Sequence, residues 1–166
     1  MREMRLHKRE ITDPAVLKEI LEECDVVRIG MTDAEGMFIM PLNYGYEFQE
    51  TEQGQKLTFY FHGSAEGRKA DAIRENSKAA FEMDCRHSVI KGEYTCSYSF
   101  SYRSIMGDGN IHELKTDEEK KFGLEKVMEH MAPEAKIEFL PEMLARTAVW
   151  KLEAERFTGK ERKQKA

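Results

Sequence analysis

Three short segments carry residues whose types and spacing can do chemistry. The first is Phe59-Tyr-Phe-His-Gly-Ser-Ala-Glu-Gly-Arg-Lys69. A strand pattern ends at His62-Gly63, and a helix of about 66–76 follows within a few residues. Arg68 and Lys69 then fall in its first turn, where cations oppose the positive end of the helix dipole. Free backbone N–H groups plus two cations make an anion site. Alternatively, both side chains reach solvent or pair with Glu66 and Asp71. The second segment is Pro41-Leu-Asn-Tyr-Gly-Tyr46. Asn43 offers a donor and an acceptor at one point. That suits the edge of a planar heterocycle, or else the backbone opened by Pro41. The third is Tyr102-Arg-Ser-Ile-Met-Gly-Asp-Gly109. Arg103 and Ser104 sit mid-way along an aromatic strand, where charge is expensive to bury. They suit a phosphate or a polyol, or Arg103 lies on a solvent-facing edge.

Other chemistries lack their residues. There is no GxxxxGK phosphate loop and no GxSxG elbow. Gly107-Asp-Gly109-Asn-Ile-His112 lacks the third glycine of a dinucleotide fingerprint, and His112-Glu113 lacks the second histidine of a zinc helix. Cys85, His87 and Cys96 are three soft ligands without a fourth, and read as a plain loop. No metal is expected.

Elements must hold these segments in place. Asp13 and Pro14 open a first helix whose Leu17, Ile20, Leu21 and Cys24 share one face. Val26–Thr32 and Met37–Phe48 form a hairpin around Asp33-Ala-Glu-Gly36. Along the return strand Phe38, Met40, Leu42, Tyr44, Tyr46 and Phe48 point one way. Pro41 removes a ladder donor, so that strand is at an edge, bulged or facing a ligand. Leu57–His62 and Lys78–Asp84 are further strands, and residues 85–96 read as irregular. Ser97–Leu114 is a long strand bent at Gly107 and Gly109. Thr116-Asp-Glu-Glu119 is a capping box opening a helix with a buried stripe of Leu124, Val127, Met128 and Met131. Ala145–Glu155 is the last strand. Six strands with peripheral helices give an α+β, mainly β fold, and the hairpin spacing points to an antiparallel barrel.

Composition bounds the partners. The chain has 166 residues, 40% apolar and 34% charged, with net charge −5. Residues 1–10 carry four basic and two acidic side chains, and 160–166 carry four and one, so the body holds about ten excess negative charges. An acidic body repels phosphate backbones and argues against nucleic acid. The basic ends read as solvated tails of one 1–166 domain. No apolar run approaches the roughly 20 residues of a membrane helix, and no secretory signal is seen. Three cysteines without CxxC suit a reducing cytoplasm.

Taken in order, these segments resemble the pyridoxamine-phosphate-oxidase-like split-barrel flavoproteins, and within them the nitroimidazole-resistance branch. The likeness rests on Arg28-Ile-Gly30, Pro41–Tyr44, Tyr60–Gly63, Gly67-Arg-Lys69, Tyr102–Ile105 with Gly107 and Gly109, and Phe157–Lys160. It spans roughly residues 8–160. The resemblance implies a six-stranded antiparallel split β-barrel and a homodimer with FMN at the interface. It places Arg68 and Lys69 at the phosphate, and Pro41, Leu42, Asn43 and Tyr44 along the isoalloxazine. Phe61, His62 and Gly63 close the site; Arg103, Ser104 and Trp150 add contacts. It implies electron transfer between a small-molecule donor and acceptor, with His62 as candidate proton donor, or else a non-catalytic flavin or haem module. Asp108 departs from the family, which often has an apolar or aromatic residue between the glycines.

Overall fold

A computed structural model describes residues 4–164 of the chain. A single 3-10 turn, His7–Arg9, leads into the two-residue strand β1 (Glu10–Ile11). Helix α1 (Pro14–Glu23) starts as expected: the Asp13 carboxylate accepts from the Ala15 N–H at 2.9 Å, and Pro14 takes the first position. Its Leu17, Ile20 and Leu21 are buried.

Two hairpins follow, β2 (Val27–Asp33) with β3 (Gly36–Leu42), and β4 (Gly45–Thr51) with β5 (Gly54–Ser64). Helix α2 (Arg68–Glu75) leads to β6 (Lys78–Ile90) and β7 (Ser99–Leu114). Then come α3 (Asp117–Met131), α4 (Pro141–Arg146) and β8 (Thr147–Arg162). One antiparallel sheet runs in the order β3-β2-β6-β7-β8-β5-β4, with β1 added to β8. Among the described residues, no helix is long and apolar enough to cross a membrane.

The topology forces curvature. The edge strands β3 and β4 are consecutive in the chain, with only Asn43 and Tyr44 between them. Laid flat, seven strands would separate those edges by about 29 Å. Two linking residues reach about 11 Å at most. The sheet therefore coils until its edges approach at this corner. No β3–β4 ladder closes it, which is what makes the barrel split.

The described chain has eight strands where six were expected. The short β1 is one addition. The other arises because Met37–Phe48 breaks at Asn43–Tyr44. Its inward alternation survives the break, with Met40 and Tyr44 buried and Phe38, Leu42, Tyr46 and Phe48 packed on the core. Pro41 does lie on an edge strand. Residues 85–90, expected as irregular, continue β6 through a register shift between Cys85 and Ser88, with Arg86 at φ 57°. The glycine bend in β7 appears as a register shift against β8 between Asp108 and Gly109. Glu10 pairs with Lys160 and β8 runs on to Arg162, so these parts of the expected tails, 1–10 and 160–166, are strand; positions 1–3 and 165–166 lie outside the described residues.

The main core fills the inside of the coil, around Ile29, Phe59, Phe61, Phe81 and Trp150. A second cluster (Tyr60, Leu114, Val127 and Val149) lies on the outer face beneath α3. The α3 capping box forms as expected. Its stripe is only partly buried: Val127 is covered, while Met131 is 52% exposed.

Candidate functional site

Strand β5 sorts the first segment onto two faces, because successive side chains point oppositely. Phe59 and Phe61 point inward and are fully buried. Tyr60 and His62 point outward. The register pairs Phe61 with Trp150 and His62 with Val149. Phe61 and Trp150 stack inside, with ring centroids 5.8 Å apart. Past Gly63 and Ser64 the chain turns through Gly67, at φ 101°, a conformation that favours glycine. It then enters α2.

At that entrance two adjacent cations diverge. Arg68 grips the β2–β3 turn: its Nε donates to Asp33 Oδ2 at 2.6 Å and its Nη2 to Oδ1 at 2.9 Å. Glu35 lies 3.7 Å away, and the guanidinium covers Phe38 at 4.4 Å. The Arg68 hydrogen bond holds the Asp33 carboxyl below its ordinary pKa. Arg68 is thus committed, to Asp33 and Glu35 where sequence reasoning had offered Glu66 and Asp71. Lys69 is half-buried, and its ammonium lies 5.1 Å from the Trp150 ring centroid. A Cβ at Gly63 would collide with its Nζ. Burial alone pushes the Lys69 pKa down, with no carboxylate opposing it among the described residues.

His62 is half-buried, and its Nδ1 is buried without a hydrogen-bond partner. Burial, and then the Lys69 charge, pull its pKa below 6.5. The imidazole is therefore mostly neutral at pH 7. Asn43 sits exposed at the β3–β4 break, with its Nδ2 3.0 Å from Met131 Sδ. Pro41 is exposed on β3, and Leu42 is half-buried beside it.

Other expected contacts are placed differently. Tyr44, Phe61 and Trp150 are at most 1% exposed and form part of the core. The Tyr44 hydroxyl lies 2.7 Å from the Leu21 carbonyl and 2.8 Å from that of Cys24, tying the corner to the end of α1. Within the single chain they pack behind the site residues, with the Lys69 ammonium against the Trp150 ring. Arg103 donates to Glu161 at 2.7 Å and to Glu19 at 2.6 Å, with its side chain 12% exposed. Ser104 is buried beside it. The row through His62 and Val149 meets β7 at Leu114. Arg103 is eleven residues further along, on the order of 30 Å. Within one chain the fold keeps Arg103 and Ser104 away from His62 and Lys69.

The structure also adds what sequence reasoning missed. A cavity of about 320 Å³ opens beside His62, walled by Met128, Met131, Leu140, Met143 and Leu144. The methionines of α3 looked like core because their spacing is that of a buried stripe. A larger hollow of about 720 Å³ lies over Gly30, Met37, Ile39 and Ala80. Its Asp108 and Arg156 pair with each other, and it contains neither His62 nor Lys69. Among the described residues, no three His, Cys, Asp or Glu side chains come together as a metal site. Cys24, Cys85 and Cys96 are all free thiols.

The protein-family model described as pyridoxamine 5'-phosphate oxidase matches residues 13–161. No curated protein matches the chain. Among solved structures, a 5-nitroimidazole antibiotic resistance protein from Bacteroides thetaiotaomicron is 27% identical, with TM-score 0.76 over 92% of this chain and 86% of that one. The flavocytochrome Anf3 from Azotobacter vinelandii is 19% identical, with TM-score 0.78 over 98% and 73%. The FAD and haem binding protein from Mycobacterium smegmatis is 17% identical, with TM-score 0.80 over 95% and 76%. The last two show likeness of fold. The ordered motifs, the split sheet and the match over nearly the whole chain agree: the chain belongs to the pyridoxamine 5'-phosphate oxidase family.

Proposed function

We propose that this chain is a single FMN-binding domain that works as a homodimeric, cytoplasmic oxidoreductase. Electrons pass from a small-molecule donor to a small oxidised acceptor of nitroimidazole-reductase type. The observation that carries this reading is Lys69. A half-buried cation without a carboxylate partner, at the N-terminus of α2, is poised for an anion. A flavin phosphate fits that need, and the α2 N–H groups add donors. Arg68 contributes little, since Asp33 already neutralises it.

FMN, when bound, supplies hydride acceptance and electron transfer at its N5. The protein holds and tunes it. Asn43, exposed at the β3–β4 corner, can bond the edge of a planar ring. His62, neutral at pH 7, serves better as a hydrogen-bonding group than as a proton source. Arg103 and Ser104 would join this site only from a second copy. The acceptor class is suggested by the name of the neighbour that is 27% identical.

The test is the absorption spectrum of the protein as purified, followed by a donor and acceptor screen. Flavin bands that bleach with a physiological reductant on a catalytic timescale are expected. Bound flavin that no reductant bleaches would make this a binding module. Haem is the second reading, favoured by a neutral imidazole at His62 and by the names of two neighbours. A Soret band would decide for it.

A further inference from the structure

We infer that His130, in the last turn of α3, is a positioning residue. It holds the β3–β4 corner so that Asn43 is presented in one orientation to the edge of the ring, a role that rests on the flavin reading above.

The corner needs a hold from outside the sheet. β3 makes its last pair with β2 at Leu42, and β4 its first with β5 at Gly45, so Asn43 and Tyr44 lie outside both ladders. Backbone groups that leave a ladder need another partner. The Tyr44 carbonyl has one in His130 Nδ1, at 2.9 Å. A carbonyl only accepts, so Nδ1 carries a hydrogen. The imidazole is itself held. It lies against the Tyr44 ring, with centroids 4.5 Å apart and planes at 32°, and meets the Tyr46 ring edge-on at 5.6 Å. At its far end the Tyr44 hydroxyl sits between the Leu21 and Cys24 carbonyls. Tyr44 is thus clamped twice, by its ring in the core and by its carbonyl under α3. Each residue has only two soft backbone dihedrals, so these two holds leave the neighbouring Asn43 peptide little freedom.

α3 meets the corner at three points. Lys126 and His130 are four apart and share a helix face; a Cβ at Gly45 would collide with the Lys126 carbonyl. Met131 adds its Sδ, 3.0 Å from Asn43 Nδ2. A thioether is a weak acceptor, so the exposed Asn43 amide is oriented without being consumed. A recognition group must be held to within about 0.5 Å of its working place. A hydrogen bond to the next residue's backbone supplies that precision, and it is directional where packing alone is not.

The test uses His130→Leu, His130→Asn, Asn43→Ala and the His130→Leu/Asn43→Ala double variant, with two readouts. In the flavin-free protein, heteronuclear NMR follows the Asn43 side-chain amide, assigned by its loss in Asn43→Ala. A single sharp pair of signals is expected in the wild type and in His130→Asn, whose amide can donate in place of Nδ1. The pair should broaden or split in His130→Leu. In titrations with FMN, affinity should fall about tenfold in His130→Leu, about tenfold in Asn43→Ala and still about tenfold in the double variant, because each loses the same contact. His130→Asn should stay within about twofold of wild type. An unchanged amide pair in His130→Leu would overturn the inference, as would an about hundredfold loss in the double variant, the mark of two independent effects. Should His130→Leu not fold, the wild-type imidazole decides: a hydrogen on Nδ1 supports the hold, and a hydrogen on Nε2 alone overturns it. If the wild type takes up no FMN while the amide responds as expected, the flavin reading falls and the hold on the corner stands.

Discussion

Arg68 and Lys69 are neighbours in sequence and opposites in state. Arg68 has two hydrogen bonds to Asp33 and a ring beneath it; among the described residues Lys69 has a tryptophan and no carboxylate partner. The anion reading and the solvent-or-ion-pair reading of this dipeptide are both available from its sequence; the structure shows the ion pair at Arg68, and the anion site at Lys69 is the proposal made above. Lys69→Glu is therefore expected to weaken FMN binding about 100-fold, the scale of a lost charge-assisted contact. Arg68→Ala should weaken it less than about threefold. Calorimetric titration checks both, and equal losses would refute the division. His62 carries a pH prediction. Its folded pKa lies below 6.5, so the unfolded chain takes up a proton first as pH falls. The stability linked to neutral His62 is full above about pH 6.5 and is lost as pH drops through the folded value. Urea unfolding at pH 7 and pH 5 should show a smaller loss in His62→Phe than in the wild type.

At the scale of elements, the decisive feature is the corner at Asn43–Tyr44. The segment Met37–Phe48 reads as one strand because its apolar residues alternate without interruption. Alternation reports which face a residue occupies, and that face is the same on both sides of the break. It does not report that β3 pairs with β2 while β4 pairs with β5 at the opposite edge. The corner is tightly packed. A Cβ at Gly45 would collide with the Lys126 carbonyl of α3. Gly45→Ala should therefore cost about 2 kcal/mol or more in urea unfolding, since backbone on both sides must shift. The α3 cap was legible because it is local: Thr116 and Glu119 bond each other's backbone. Thr116→Ala should cost about 1 kcal/mol.

At the scale of the molecule, one outer face of the sheet has no helix to cover it. Met37 is 87% exposed there, Ile39 70% and Met106 57%. Its charges are matched internally, Arg28 with Glu82 and Asp84, and Arg156 with Asp108. Exposed apolar side chains set among paired charges fit a second copy of the chain, in line with the proposed homodimer. Ile39→Lys is expected to shift the protein toward monomer in light scattering after size exclusion, with unchanged circular dichroism. An unaltered dimer would place the interface elsewhere.

For Pro41 the residues leave an edge, a bulge or a ligand-facing strand open, and only the pairing selects the edge; the fold class, the caps of α1 and α3 and the ordered motifs of the family are legible in the residues alone. Each of these rests on local periodicity or on bonds between near neighbours. Long-range packing selects Arg68 over Lys69 for the ion pair, because its partner Asp33 is 35 positions away. It also withdrew Tyr44, Phe61 and Trp150 into the core, and set Arg103 far from His62 along a long strand. It opened the cavity under a methionine stripe that reads as core. Long-range pairing decides such matters, and a strand's own residues carry no record of the partner that will neutralise, cover or expose them.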